Sequence, residues 1–360
     1  MARKRNEVNE SFLSQLKNEV ELRCGFQVLQ SKDCVHLAEC IYQSVKQNIS
    51  SNTLRRVWGI EKSDFSVSSS TIEILRMYVG NYSVPDSVLD FEAEFVRDFY
   101  RPNHFESIDF NDKTFQASCR KIALLLKTNA ALFNRVMEDL SSNKIGQKFY
   151  FDLFPDYDVL HLFQYKGFLI YWNHTQDAND QLYIASILTR AYYFRGDQEN
   201  MALWSTRALA VYHSNKSNFH SFTLGRFFFA MLISSTSDEY KHWLSLAEII
   251  EREIPRVASG NFNEFPGFHY MICDAFYLKM DYESLISFAD KGLSDFEEFP
   301  EYVWKGYYDQ LRIYRAFGKY CLERNPEDIR AVSRIDSTGF YFISKNYFQN
   351  IHVKLMKFLS

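Results

Sequence analysis

Glycine and proline are scarce, 13 and 7 in 360 residues, and no proline precedes Pro85. A chain so poor in helix breakers, with 46% hydrophobic residues, is too apolar for a disordered polymer and points to packed helices. The six cysteines, Cys24, Cys34, Cys40, Cys119, Cys273 and Cys321, include no C-x-x-C pair and no framework spacing. That removes the disulfide scaffold and the zinc ribbon and makes a reduced, cytoplasmic compartment the expectation. The longest apolar runs, such as Phe227 to Ile233, fall far short of the ~20 residues that cross a bilayer, so no membrane partner is expected. Behind the basic residues of MARKRNEVNE no apolar run follows, so no secretory signal is expected. G-x-x-x-x-G-K-[ST], G-x-G-x-x-G, H-E-x-x-H and G-x-S-x-G are all missing, which leaves phosphate-loop, dinucleotide, zinc-protease and esterase chemistry without a motif. No catalytic residue, metal or cofactor is therefore nominated.

Aromatic residues are abundant at 17%, including 33 Phe and 23 Tyr. Most recur at helical spacing inside apolar runs, where they fill helix seams; a base-stacking surface is the sharper alternative. The net charge of −4 excludes a general polyanion trap. The charge is uneven, with 11 Lys and Arg against 9 Asp and Glu in residues 1–84, which permits DNA contact at that end without requiring it.

Helical periodicity places a first helix over residues 9–22, with Phe12, Leu13, Leu16 and Val20 on one face, and a second over 33–45, with Leu37, Ala38, Ile41, Tyr42 and Val45. Two short helices follow in SSNTLRRVWGIEKSDFSVSSSTIEILRMYVG. The first opens at Ser50 or Ser51, turns Leu54, Val57 and Trp58 inward and ends at Gly59; the second has Ser70 and Glu73 at capping-box spacing, Ile72, Leu75 and Val79 inside, and Gly80 at its end. A break at Pro85-Asp86 begins a new helix containing Val88, Phe91 and Phe95.

The pattern S-x-x-T-L-R-R-x-x-G followed by S-S-x-T-I-x-x-L-x-x-x-x-G resembles the last part of phage-repressor-like (XRE, Cro/C1-type) helix-turn-helix domains. The resemblance covers about the first quarter of the chain. It implies that the helix opening at Ser51 is the recognition helix and that double-stranded DNA is a partner, met by Ser51, Asn52, Thr53, Arg55 and Arg56. Arginine can bridge guanine edges or grip phosphates, asparagine can pair with adenine, and hydroxyls can meet phosphate oxygens. Arg3, Lys4 and Arg5 would serve as an arm on the backbone or in the minor groove. The segment between the preceding helix and Ser50 is longer than that family's tight turn.

Beyond residue 181 a unit recurs, an apolar helix, a polar turn and a second helix, with turns at Asp197, Asp238, Asp281 and Glu327 in steps of 41, 43 and 46 residues. A helix pair at such a period cannot bury its own apolar face and must stack on the next, the sign of an α-solenoid. Residues 191–209 and 275–293 look like tetratricopeptide-type repeats. The fold class expected is thus all-α: a small helix-turn-helix-like domain over 1–84, a helical connecting region over 85–180, and a solenoid of TPR-like helix pairs over 181–360. Its groove would take an extended peptide or a partner helix, with Tyr192, Tyr193, Phe194, Tyr277, Tyr307 and Tyr308 as candidate liners, although for any single one of them the core is the favoured place.

Smaller signals have plain readings. His36 and Cys40 lie one helical turn apart without a second pair at ligand spacing. Asp152, Asp156 and Asp158 could hold a cation or do acid-base work, but they flank a Phe-Pro break and read as a solvated loop. Arg195-Gly196-Asp197 matches an adhesion tripeptide in letters, and its structural cause is a glycine stop followed by a capping aspartate. Two functions from different classes result. One is a DNA-binding regulator whose repeats sense a peptide or protein, with a homodimer as its natural form; the other is an interaction scaffold that keeps the helix-turn-helix shape without binding DNA, which the overall negative charge and the lengthened turn favour.

Overall fold

The computed structural model describes residues 10–61, 67–79, 86–101, 113–215, 219–253, 267–296, 301–336 and 342–359, and these contain helices and turns without a strand. The chain divides into two compact units, residues 1–92 and 93–360. Arg3, Lys4, Arg5, Gly80 and Pro85 lie outside the described residues.

The first unit holds α1 (Glu10–Cys24), α2 (Ser31–Val45), α3 (Ser51–Val57) and α4 (Ser69–Val79). α2 packs on both α3 and α4, and α1 packs on α4. Leu16, Val20, Leu37, Ile41, Leu54, Val57 and Leu75 meet in one core together with Cys34 and Tyr78. The expected inward positions of α2 hold for Leu37 and Ile41, whereas Tyr42 is exposed. The cap of α4 differs from the spacing argument: Ser68 Oγ accepts the Thr71 amide at 3.2 Å, two residues before Ser70. Three serines in a row offer equivalent caps, and only the register of Leu75 on the core selects among them.

The division between the units falls within α5 (Asp86–Phe99), which buries Leu89, Ala93 and Val96 and leaves Val88, Phe91 and Phe95 exposed.

The second unit begins with α6 (Lys113–Thr128) and α7 (Ala130–Ser142). They are separated at Asn129, whose side chain caps the Leu132 amide at 3.0 Å. α8 (Lys144–Gly146) continues into a π-helical turn, Gln147–Asp152, and a second π turn, Leu160–Gln164, leads into α9 (Tyr165–His174). Between the two π turns the chain breaks at Phe154-Pro155-Asp156. The buried Gln164 amide ties that break down, donating to the Phe154 carbonyl at 2.9 Å and accepting from the Asp156 amide at 2.8 Å.

Then come α10 (Ala178–Arg195) with α11 (Gln198–Ser214), α12 (Ser221–Ser234) with α13 (Ser237–Glu253), α14 (Gly267–Lys279) with α15 (Tyr282–Phe296), and α16 (Glu301–Glu323) with the short α17 (Pro326–Arg330). α10 packs on α12, α12 on α14, and α14 and α15 on α16. Two of the turns are built from glycine or a left-handed residue plus an aspartate cap. Gly196 at φ 70° stops α10 and Asp197 caps Asn200 at 3.1 Å, while Met280 at φ 59° precedes Asp281, which caps Ser284. The Arg195-Gly196-Asp197 tripeptide is therefore a helix stop and start, with the Arg195 guanidinium donating to the His161 carbonyl. The last helix, α18 (Lys345–Met356), follows a single 3-10 turn, Phe342–Ser344.

α12 and α14 approach so closely at Gly225 that a Cβ there would stand 2.9 Å from the Phe268 Cα and 2.9 Å from the Met271 Cβ. Gly225→Ala is expected to destabilise the second unit by about 1–3 kcal/mol, because backbone and not a flexible side-chain tip must move. Urea unfolding followed by circular dichroism checks it.

Candidate functional site

In the first unit, α3 is fixed at both ends. Ser50 Oγ accepts the Thr53 amide at 3.0 Å and meets the Thr53 hydroxyl at 2.8 Å. At the other end Gly59, at φ 70°, stops the helix, and the Trp58 indole donates to Glu21 of α1 at 2.8 Å. That same carboxylate oxygen accepts the Val28 amide at 3.1 Å, so one acid ties α1, the loop after it and the end of α3 together. Leu54 and Val57 enter the core, which leaves Asn52 and Arg56 exposed and Ser51, Thr53 and Arg55 half-buried. Asn52 Oδ1 accepts from Arg55 Nη1 at 3.1 Å, which sets the guanidinium along the helix. Neither Arg55 nor Arg56 forms an ion pair among the described residues. Five residues separate α2 from α3, among them Lys46 at φ 56° and the buried Ile49.

In the second unit the candidate tyrosines scatter. Tyr192 is buried, edge-on to Tyr165 at 5.6 Å, and Tyr308 is exposed beneath Arg312. Tyr277 is half-buried, at 5.0 Å from Phe317 and 5.7 Å from Tyr314. Tyr307 lies edge-on to Tyr270 at 4.8 Å, and Tyr193 is edge-on to Phe194 at 5.3 Å.

What organises this region is a charge pair that the sequence reading did not single out. Arg190 of α10 and Asp274 of α14 are each only 4% exposed and are hydrogen-bonded to one another. The guanidinium carbon stands 4.0 Å from the Tyr157 ring centre, 4.6 Å from Phe229, 4.9 Å from Phe194 and 5.2 Å from Tyr347. Asp274 also accepts from the Tyr314 hydroxyl at 2.6 Å and from the Tyr347 hydroxyl. Burial opposes the Arg190 charge, yet Asp274 and the surrounding phenols outweigh it, so the guanidinium is held more firmly protonated than usual. Burial, and then the Asp274 charge, push the Tyr314 and Tyr347 phenols well above their ordinary range. Both remain donors at any physiological pH. The signal in the sequence was one charge of each sign stranded in an apolar run, Arg190 in Leu188-Thr189-Arg190-Ala191-Tyr192 and Asp274 in Ile272-Cys273-Asp274-Ala275-Phe276.

The three aspartates around the Phe-Pro break are not a solvated loop. Asp156 and Asp158 share Lys127, at 3.0 Å and 2.5 Å, with both carboxylates almost fully buried. Asp152 stands apart, accepting from the Tyr171 hydroxyl at 3.3 Å. Burial raises Asp156 to about 7 against the opposing pull of Lys127, and burial followed by the nearby Asp180 raises Asp152 well above the carboxylate range. Spacing along a proline break suggested solvent exposure; the packing of α6 against that break decided otherwise. His36, by contrast, is exposed near Glu39 and stacks on Phe26 at 5.0 Å.

Compared with known proteins, the chain matches no family model, no curated protein and no solved structure. Function is therefore argued from the residues alone.

Two outcomes are expected. Asp274→Ala, which strands the Arg190 charge in the interior, costs about 3–5 kcal/mol, while the double replacement Arg190→Met with Asp274→Leu costs distinctly less; thermal and urea unfolding of the three proteins compares them. For Asp156, the folded value lies above the ordinary 3.8, so the native state binds more protons than the unfolded chain between about pH 4 and 7. Its contribution to stability falls as pH rises through that window. Relative to Asp156→Asn, the natural protein should lose roughly 1–3 kcal/mol from pH 4 to 7, read by urea unfolding across the range.

Proposed function

We propose that the protein is a cytoplasmic, DNA-binding transcriptional regulator of two parts. The N-terminal unit is a helix-turn-helix-like head that places α3 in the major groove, and the helix pairs of the second unit form a TPR-like solenoid whose groove takes a peptide or protein ligand. The observation that carries the DNA half is the presentation of α3. Its apolar side is embedded through Leu54 and Val57, its ends are fixed by Ser50 and Trp58, Arg56 and Asn52 are exposed, and neither Arg56 nor the half-buried Arg55 has an ion-pair partner among the described residues. A rigid helix that exposes unneutralised arginine and amide groups suits phosphate and base-edge contact. In a homodimer, two such heads would address half-sites about one DNA turn, ~34 Å, apart.

The solenoid half is supported by the succession of packed pairs from α10 to α17 and by a face on which α10 reaches α14 across α12. Stacked pairs of this kind make one continuous surface for an extended or helical ligand.

A second reading, a scaffold that does not bind DNA, draws on one observation: Thr53 is engaged with Ser50 and Asn52 with Arg55, so part of the edge that would read DNA is already satisfied within α3. Selection of duplexes from a random DNA pool separates the two. The regulator reading expects one enriched motif and a steep decline of affinity with salt, with the slope smaller by about one for Arg56→Ala. Absence of a motif, with equal weak binding by the natural protein and by the double variant Arg55→Ala/Arg56→Ala, would leave the scaffold.

A further inference from the structure

α18 lies on the face that the groove reading assigns to a ligand. Tyr347 reaches Asp274 of α14 and packs edge-on to Phe194 of α10 at 5.9 Å. Phe348 stacks on Tyr270 of α14 at 5.9 Å and meets Tyr314 of α16 edge-on at 5.2 Å. Lys354 covers the rings of Tyr277 and Phe317, and Ile351, His352 and Leu355 are buried along the same side. No space that a water molecule could enter remains among Tyr157, Tyr270, Met271, Asp274, Tyr314 and Phe348. The buried positions 348, 351, 352 and 355 have the i, i+3, i+4, i+7 spacing of a helix laid in a groove.

Two features mark this helix as a guest on the face. Its N-terminus has no cap of its own; the amides of Asn346 and Tyr347 are taken by Asp158 at 3.2 and 2.9 Å, a carboxylate from nearly two hundred residues earlier. A helix of 12 residues is marginal alone in water, so this one owes its form to the surface beneath it. The second feature is that the receiving charges are satisfied without it. Asp274 retains Arg190 and Tyr314, and Asp158 retains Lys127, if Tyr347 and the α18 amides withdraw. Withdrawal of α18 therefore leaves each of these charges with a partner, and what it opens is the ring slot of Phe348 between Tyr270 and Tyr314.

We propose that the face built by α10, α14 and α16 is a receptor for a short amphipathic helix carrying an adjacent Tyr-Phe pair, and that residues 345–356 are its resident, exchangeable occupant. The partner is a peptide of that chemistry: a phenol for Asp274, a second ring for the Tyr270–Tyr314 slot, and aliphatic residues three and seven positions beyond that ring. Occupancy by α18 thus holds the site closed until such a peptide competes. The inference rests on the groove reading given under Proposed function and not on DNA binding.

The test uses the full chain with a specific protease site placed within residues 337–341, folded intact and then cut. A fluorescent peptide with the sequence of residues 342–359 is added to cut and uncut protein, and anisotropy is followed. The expected result is replacement of the cut segment by the labelled peptide, at least about tenfold tighter apparent binding to cut than to uncut protein, and about fivefold weaker binding by the Tyr347→Phe peptide. The proposal is overturned if the cut segment stays bound without exchange, or if its removal abolishes the helical signal of the remaining chain, since either makes α18 a structural helix. DNA selection on the uncut protein is scored separately. Exchange without an enriched motif keeps the receptor and removes the regulator; a motif without exchange does the reverse.

Discussion

The second unit depends on one electrostatic constraint, a guanidinium and a carboxylate removed from water on different helices. Neither Arg190 nor Asp274 could be buried alone, because an unpaired ion in the interior costs several kcal/mol. Their pairing ties α10 to α14, the two helices that both pack on α12. Rings from Tyr157, Phe194, Phe229 and Tyr347 close around the guanidinium, so the pair also gathers the loop after Pro155 and the last helix. The aromatic richness of the chain finds its use here: flat rings supply a low-polarity wall that still attracts a cation.

A second constraint of the same kind runs from Lys127 through Asp156 and Asp158 to the first amides of α18. It joins the early helices of the unit to the last one. Both networks reach α18, through the Tyr347 hydroxyl on Asp274 and the Asn346 and Tyr347 amides on Asp158, and each carboxylate also has partners elsewhere, Arg190 and Tyr314 for Asp274 and Lys127 for Asp158. Those partners outside α18 are the physical basis for treating the face as a receptor.

The first unit follows a different plan, and among its described residues no buried ion pair stands at the centre. An apolar core of Leu16, Val20, Leu37, Ile41, Leu54 and Leu75 carries it, and Glu21 adds directional bonds to the Trp58 indole and the Val28 amide. The seven-residue α3 is too short to persist alone, and its Ser50 cap, glycine stop and Trp58 anchor convert it into a rigid, outward-facing element. Rigidity of that sort is what groove reading of nucleic acid asks of a helix.

Much of this was legible in the chain itself. Helices α1 to α4, a serine cap at Ser50 or Ser51, the Gly59 stop and the turns at Asp197 and Asp281 follow from period, caps and left-handed residues, all of them local properties. Tertiary packing decided which of three serines capped α4, that Leu89, Ala93 and Val96 and not Val88, Phe91 and Phe95 form the buried face of α5, and that the aspartates beside Pro155 are buried on Lys127. It also decided that the candidate tyrosines scatter: Tyr277 lies beneath Lys354 of α18, Tyr307 lies against Tyr270, Tyr192 against Tyr165 and Tyr308 beneath Arg312. The central pair belongs to the same class. Arg190 and Asp274 are 84 residues apart, and Asp158 and Tyr347 are 189 apart. A charge stranded in an apolar run announces that it needs a partner. Which partner it finds is a property of how the helices stack, and no local pattern carries that information.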